Sequence, residues 1–166
     1  MKVSANFDIR EFVSKKIYDR WGTDSSWFIN QRVVNLAQFY RDFFTRYFRN
    51  KDANVSHVII VINTWFYGGK DEYSGFREPE GKEGASLSQH RFCNAFDADI
   101  IIVYKDGTKK EADYKQIHKI IEDYNDIFME AGLTAVESVE DAPTWLHSDC
   151  RWIPNQKKIL TVRYKK

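Results

Sequence analysis

The segment spanning residues 86–99, SLSQHRFCNAFDAD, holds the residues best suited to chemistry. His90 and Asp97 are both good zinc ligands. Catalytic zinc takes three protein ligands from His, Asp, Glu or Cys and keeps a fourth position for water. A third ligand must therefore come from elsewhere, and His147 in TWLHSD is the candidate. If that segment is a strand, positions two apart share a face, so Trp145, His147 and Asp149 point the same way and Asp149 lies close to the metal. Spacing alone does not choose this set. His57, His118 and many carboxylates also offer ligands, and a lone histidine is more often a hydrogen-bonded structural residue.

The elements that must position these residues follow from hydrophobic periodicity. Residues 6–20 read as a short helix with Ile9, Phe12, Val13 and Ile17 on one side, ended by Trp21-Gly22. Asp24, Ser25 and Ser26 are N-cap candidates for a second helix that runs to about Arg49. Its stripe is Ile29, Val33, Leu36, Tyr40, Phe44 and Tyr47, a core face rather than a binding surface. HVIIVI at 57–62 reads as a buried strand. Residues 63–87 are Gly-rich and poor in apolar positions, and a loop of that length in one domain is usually functional or disordered. A second strand at 97–104 enters a turn at 105–108, with a return strand at 109–112. A helix at 114–131 has Gly132 as its C-cap, and strands at 145–152 and 158–164 are joined by a turn at Pro154-Asn155. The expected fold class is α+β, a single domain over residues 1–166 with helices packed on a mostly antiparallel sheet and a long loop at the site.

Composition narrows the function. The chain has 166 residues, 43% hydrophobic and 16% aromatic, enough for a core without disulfide staples. Its net charge of +1 lacks the basic excess of a protein that neutralises many phosphates, so no nucleic-acid partner is expected. No stretch approaches the ~20 apolar residues of a membrane span, so no membrane partner is expected either. MKVSANFDIREF turns polar at once, unlike a signal peptide, and the protein is expected to be soluble where it is made. Cys93 and Cys150 are too few for a secreted disulfide scaffold and read as buried, reduced thiols, although Cys93 falls between two candidate ligands. Nothing in the sequence specifies an oligomeric state.

Residues 86–99 resemble the first signature of the M15 group of zinc D,D-carboxypeptidases and L-alanyl-D-glutamate endopeptidases, Ser-x-His-x-x-Gly-x-Ala-x-Asp. Ser88, His90, Ala95 and Asp97 match in register, and Cys93 stands where the family has Gly. Upstream, Ser74-Gly75-Phe76-Arg77 is similar to the family's Ser-Gly-aromatic-Arg segment. Downstream, Trp145-Leu146-His147 is similar to the segment that supplies the last zinc histidine, and the order of elements fits from Phe7 to Arg163.

The resemblance implies Zn2+ held by His90, Asp97 and His147. It implies that Arg77 donates to the scissile carbonyl as that becomes an oxyanion, a role suited to a planar, permanently charged guanidinium. Ser88 would bond a substrate carboxylate or amide, or else its own backbone as a turn hydroxyl. Many members place a Glu or Asp general base three residues before the last zinc histidine, and here that position is Thr144. Asp149 is the leading substitute, either as that base or as a residue orienting a ligand histidine, with Asp141 and Glu140 behind it. The implied substrate is the peptidoglycan stem peptide, and a phage lysin or virion-associated protein is an attractive setting. The alternative is a binding or structural module that keeps the fold, with or without the zinc, and lacks catalysis, a reading that Thr144 and Cys93 favour.

Overall fold

Two helices precede the first strand in the computed structural model, which describes residues 1–163: Lys15–Trp21 (α1) and Gln31–Lys51 (α2). The helix expected over 6–20 is shorter and split. Ile9–Glu11 is a 3₁₀ turn closed by a reciprocal capping box between Asp8 and Glu11, and α1 begins only after the Ser14 side chain accepts from the Ile17 N–H. Between them Val13 leaves the helical path to bridge in parallel to Phe76 of the long loop. The second helix also starts later than expected. Gly22 ends α1 at φ 55°, Gly22–Phe28 forms a 3₁₀ segment, and the Ser25 hydroxyl donates back to the Gly22 carbonyl instead of capping a helix. The N-cap of α2 is Asn30, whose side chain accepts from the Arg32 N–H. Helix α2 buries Val33, Leu36, Ala37, Tyr40, Phe44 and Phe48, the 3-and-4 spacing of one face.

The strands are Val55–Val61 (β1), Ala95–Tyr104 (β2), Lys109–Glu111 (β3), Ala135–Glu137 (β4), Leu146–Asp149 (β5) and Leu160–Val162 (β6). They form one six-stranded sheet in the order β1-β2-β5-β4-β6, with β3 added to the long β2. Every pairing is antiparallel except β4 with β6. The fold is α+β, as the periodicity indicates. Strand β4 was not expected, and the strand expected over 145–152 contracts to four residues. Of the segment expected over 158–164, residues 160–162 are strand and Tyr164 lies outside the described residues. The single helix expected over 114–131 breaks at Tyr124 into Tyr114–Asp123 (α3) and Asn125–Glu130 (α4).

One face of the sheet carries the core. Phe96, Ala98, Ile100 and Ile102 of β2 alternate inward, with Leu146 of β5 and Val136 of β4, against Tyr40, Phe44, Phe128 and Ile117 of the helices. Tyr40 is fully buried, and its hydroxyl is 2.9 Å from the Ser148 hydroxyl on β5. By the two-residue period of a strand, Asp97 and Asp99 of β2 and His147 and Asp149 of β5 must face the other way.

Candidate metal centre

Register builds the site. Asp97 on β2 stands directly across from His147 on β5, and directly paired residues project on the same face. His90 arrives from the 3₁₀ turn Gln89–Phe92, which ends at Cys93 in the left-handed conformation (φ 51°). That tight reversal returns the chain into β2. Only glycine enters this region without steric cost, so Cys93 holds the turn at some expense. The Cys93 thiol is turned inward, where it accepts from the Asn30 N–H at 3.2 Å.

Three ligand atoms converge. His147 Nδ1 is 2.8 Å from Asp97 Oδ1, His90 Nε2 is 3.3 Å from the same oxygen, and the two ring nitrogens are 3.2 Å apart. Ligands at ~2.1 Å in a tetrahedral zinc site lie about 3.4 Å from one another. The triangle is slightly tighter than that and of the right shape. The three form the one His/Cys/Asp/Glu group among the described residues arranged to hold a metal ion, and two of its members are buried. Two imidazole nitrogens and a carboxylate oxygen at this separation need a cation between them, either a shared proton or a metal.

The far side of each ligand is also fixed. His90 Nδ1 donates to the Gly75 carbonyl at 2.8 Å, which directs the Nε2 lone pair at the triangle. His147 Nε2 is 3.6 Å from Asp149 Oδ2, which directs its Nδ1 inward. Asp97 Oδ2 accepts from Arg77 Nη2 at 2.9 Å, leaving Oδ1 for the triangle. Carboxylate and carbonyl partners behind metal-binding residues set their tautomer and orientation. Burial alone would raise the Asp97 carboxyl, but hydrogen bonds from His147 and His90 hold it well below the usual range. Burial would likewise push His147 down, yet Asp149 and Asp97 outweigh it and raise it to about 9.

The long loop is the wall of this site. Asp97 N–H donates to the Ser74 carbonyl at 2.7 Å, and Arg77 N–H donates to the His90 carbonyl at 3.2 Å. Gly75 is required by space, because a Cβ there would sit 2.4 Å from the Phe12 carbonyl oxygen. Gly84, at φ 74°, rides over Arg77, where a Cβ would meet Nη1 at 2.7 Å. Arg91 ties the intervening turns together by donating to the carbonyls of Ala85, Glu78, Pro79 and Gly81. Buried Asn63 anchors the loop's other end, accepting from Ser74 N–H and donating to the Val13 carbonyl.

The other expected site residues are placed as follows. Ser88 is half-buried at the start of the His90 turn and makes no side-chain cap. Asp149 is fully buried, and its carboxylate is gripped by the Arg151 guanidinium as well as facing His147. It thus stands behind a ligand rather than over the triangle, the orienting placement of the two considered. Thr144 is exposed and lines a different cavity with Phe48, Tyr114 and Pro143, so its position does not face the triangle. Glu140 pairs with Arg163 at 3.7 Å between two exposed side chains, and Asp141 accepts from the Ser138 hydroxyl. His57 bonds Ser56, and His118 lies in the cleft against β4 and β6. Both cysteines are free and buried, and burial raises Cys93 to about 11 and Cys150 to about 12.

One acid at this face was missed in the sequence. Glu137 ends β4, is 8% exposed, and feels the charges of His147, Asp97, Asp141 and Arg77. A three-residue strand gives too short an alternation to mark it. Comparisons with family models, curated proteins and solved structures return no match to this chain.

Proposed function

We propose that the chain is a zinc peptidase that hydrolyses peptide bonds in peptidoglycan stem peptides. The observation that carries this reading is the His90–Asp97–His147 triangle, whose spacing and backing partners fit a three-ligand site with one position open. Two imidazoles and one carboxylate suit zinc. Zinc bound there supplies a Lewis acid and brings the pKa of water toward ~7. The substrate class is carried by the three motifs that resemble the M15 group. A phage lysis or virion-associated setting rests on the same resemblance.

The protein's own residues have separable tasks in this reading. His90, Asp97 and His147 hold the ion. Arg77 keeps Asp97 oriented through Nη2, is anchored by Nε to the Tyr73 carbonyl, and offers Nη1 to a carbonyl oxygen as it gains charge. Gly84 leaves room for that guanidinium, and Ser88, in the turn ahead of His90, offers its hydroxyl to substrate. Asp149 orients His147. A second reading, a zinc-holding module without catalysis, is favoured by two observations: Asp149 is committed to Arg151, and Thr144 faces another cavity.

The test is hydrolysis of purified peptidoglycan of several chemotypes by zinc-loaded and chelated protein, with His90→Ala as the control. New amino and carboxyl termini should appear only with the zinc-loaded wild type. No new termini on any chemotype, with one zinc bound per chain, would establish the non-catalytic module instead.

A further inference from the structure

Glu137 is placed by register. β4 pairs Ala135 with Asp149 and Val136 with Ser148, and continuing that register one step brings Glu137 toward His147. His147 is in turn across from Asp97. Val136 and Ser148 belong to the core face, so their neighbours Glu137 and His147 share the opposite one. Three adjacent strands therefore present Glu137, His147 and Asp97 in a row.

Apart from Asp99, the other acids of this face are committed. Asp97 is held by Arg77 and both histidines, Asp149 by Arg151, and Asp141 by Ser138. Asp99 lies two residues along β2, where it pairs with Val61 rather than with a ligand strand. Glu137 has no hydrogen-bond or ion-pair partner among the described residues, yet it is largely buried. Burial, with Asp97 and Asp141 adding, raises its carboxyl above the usual range, against the opposing pull of His147 and Arg77.

We propose that Glu137 is the proton-transferring carboxylate of this site. The inference rests on the hydrolase reading. A water molecule gives one proton to a Glu137 carboxylate oxygen while its own oxygen bonds the peptide carbonyl carbon. The carbon–nitrogen bond then breaks, and the departing nitrogen takes the proton from Glu137. The products are one carboxyl and one amine, and Glu137 is regenerated.

The test compares Glu137→Gln, Glu137→Asp and Asp99→Asn in the full chain, read by zinc content, by the visible spectrum of the Co2+-substituted protein across pH, and by peptidoglycan hydrolysis. E137Q should keep one zinc with affinity within a few-fold of wild type, and lose roughly 10²–10⁴-fold in rate. E137D should recover part of that loss, and D99N should match wild type. The pH inflection of the cobalt spectrum should move in E137Q even before substrate is added. Full activity in E137Q, an unmoved cobalt inflection, loss of zinc from E137Q, or a rate loss in D99N instead would each overturn the assignment. An inert wild type sinks the hydrolase reading and this inference with it, whereas an active E137Q sinks only this inference.

Discussion

Strand β5 serves two unlike environments within four residues. Leu146 and Ser148 face the helices, where Leu146 joins the aromatic core and Ser148 pairs its hydroxyl with that of Tyr40. His147 and Asp149 face the loop, where each is bound to groups of opposite charge. On the first face stability depends on filled volume. On the second, function depends on where lone pairs point, and each ligand needs a partner behind it. The two faces share a backbone but not a currency of damage: a lost methylene hurts one, a turned ring the other.

The largest expected effects separate the faces outright. Phe44→Ala should cost ~3–5 kcal/mol in denaturant unfolding, as large-to-small changes of buried aromatics do, while the protein that remains folded still takes up one zinc. His147→Ala should abolish stoichiometric zinc while leaving the metal-free fold in place. Zinc lost from folded F44A, or full zinc in H147A, would break the comparison.

An intermediate effect is expected at Asp149. Asp149→Asn keeps the shape but removes the charge facing His147 Nε2 and Arg151. Zinc affinity should fall ~10–100-fold, the usual loss when a ligand's backing partner is removed, measured by competition with a chromophoric chelator. Unchanged affinity would mean that His147 is oriented by its ring packing alone.

The smallest effect concerns pH in metal-free protein. His147 is raised to about 9, so the stabilisation from its charged form is fully present below its ordinary value near 6.5 and is lost as pH climbs through about 9. Thermal unfolding of chelated protein should therefore shift down by a few degrees over that window. Zinc-loaded protein should not show the same fall, because the ion replaces the proton, and apparent zinc affinity should rise with pH over the same range. A flat metal-free profile would show that the triangle holds no shared proton.

Much of the site was legible because its residues lie in long or tightly spaced signals. His90 and Asp97 sit seven apart, and alternation in TWLHSD put His147 and Asp149 on one face. The long helix and β1 were readable from apolar runs, but their starts were not. Asp24-Ser25-Ser26 has the composition of an N-cap, yet a local bond from the Ser25 hydroxyl back to the Gly22 carbonyl closes a 3₁₀ segment there, and the cap moves to Asn30. The break at Tyr124 is a local conformation (φ −112°, ψ 27°) inside an otherwise helical pattern. β4 was invisible for a different reason: Ala-Val-Glu is three residues long, and its Glu reads as surface until the register with β5 is known. The roles of Gly75 and Asn63 are set by backbone contacts with the N-terminal segment, far away in sequence.

The pairing of β2 with β5 also fixes when an ion can matter. Asp97 and His147 are 50 residues apart and meet only once β5 has docked on β2. The helix α2 and the β2–β3 hairpin are closed by much shorter connections, which cost less entropy to form and should form sooner. His90 and Asp97 are thus near each other early, while the third corner arrives late. An ion at this position cannot seed the fold. An ion held there would act as a clasp, fastened after assembly, that chiefly slows the detachment of β5 and so lengthens the lifetime of the native state more than it hastens its formation.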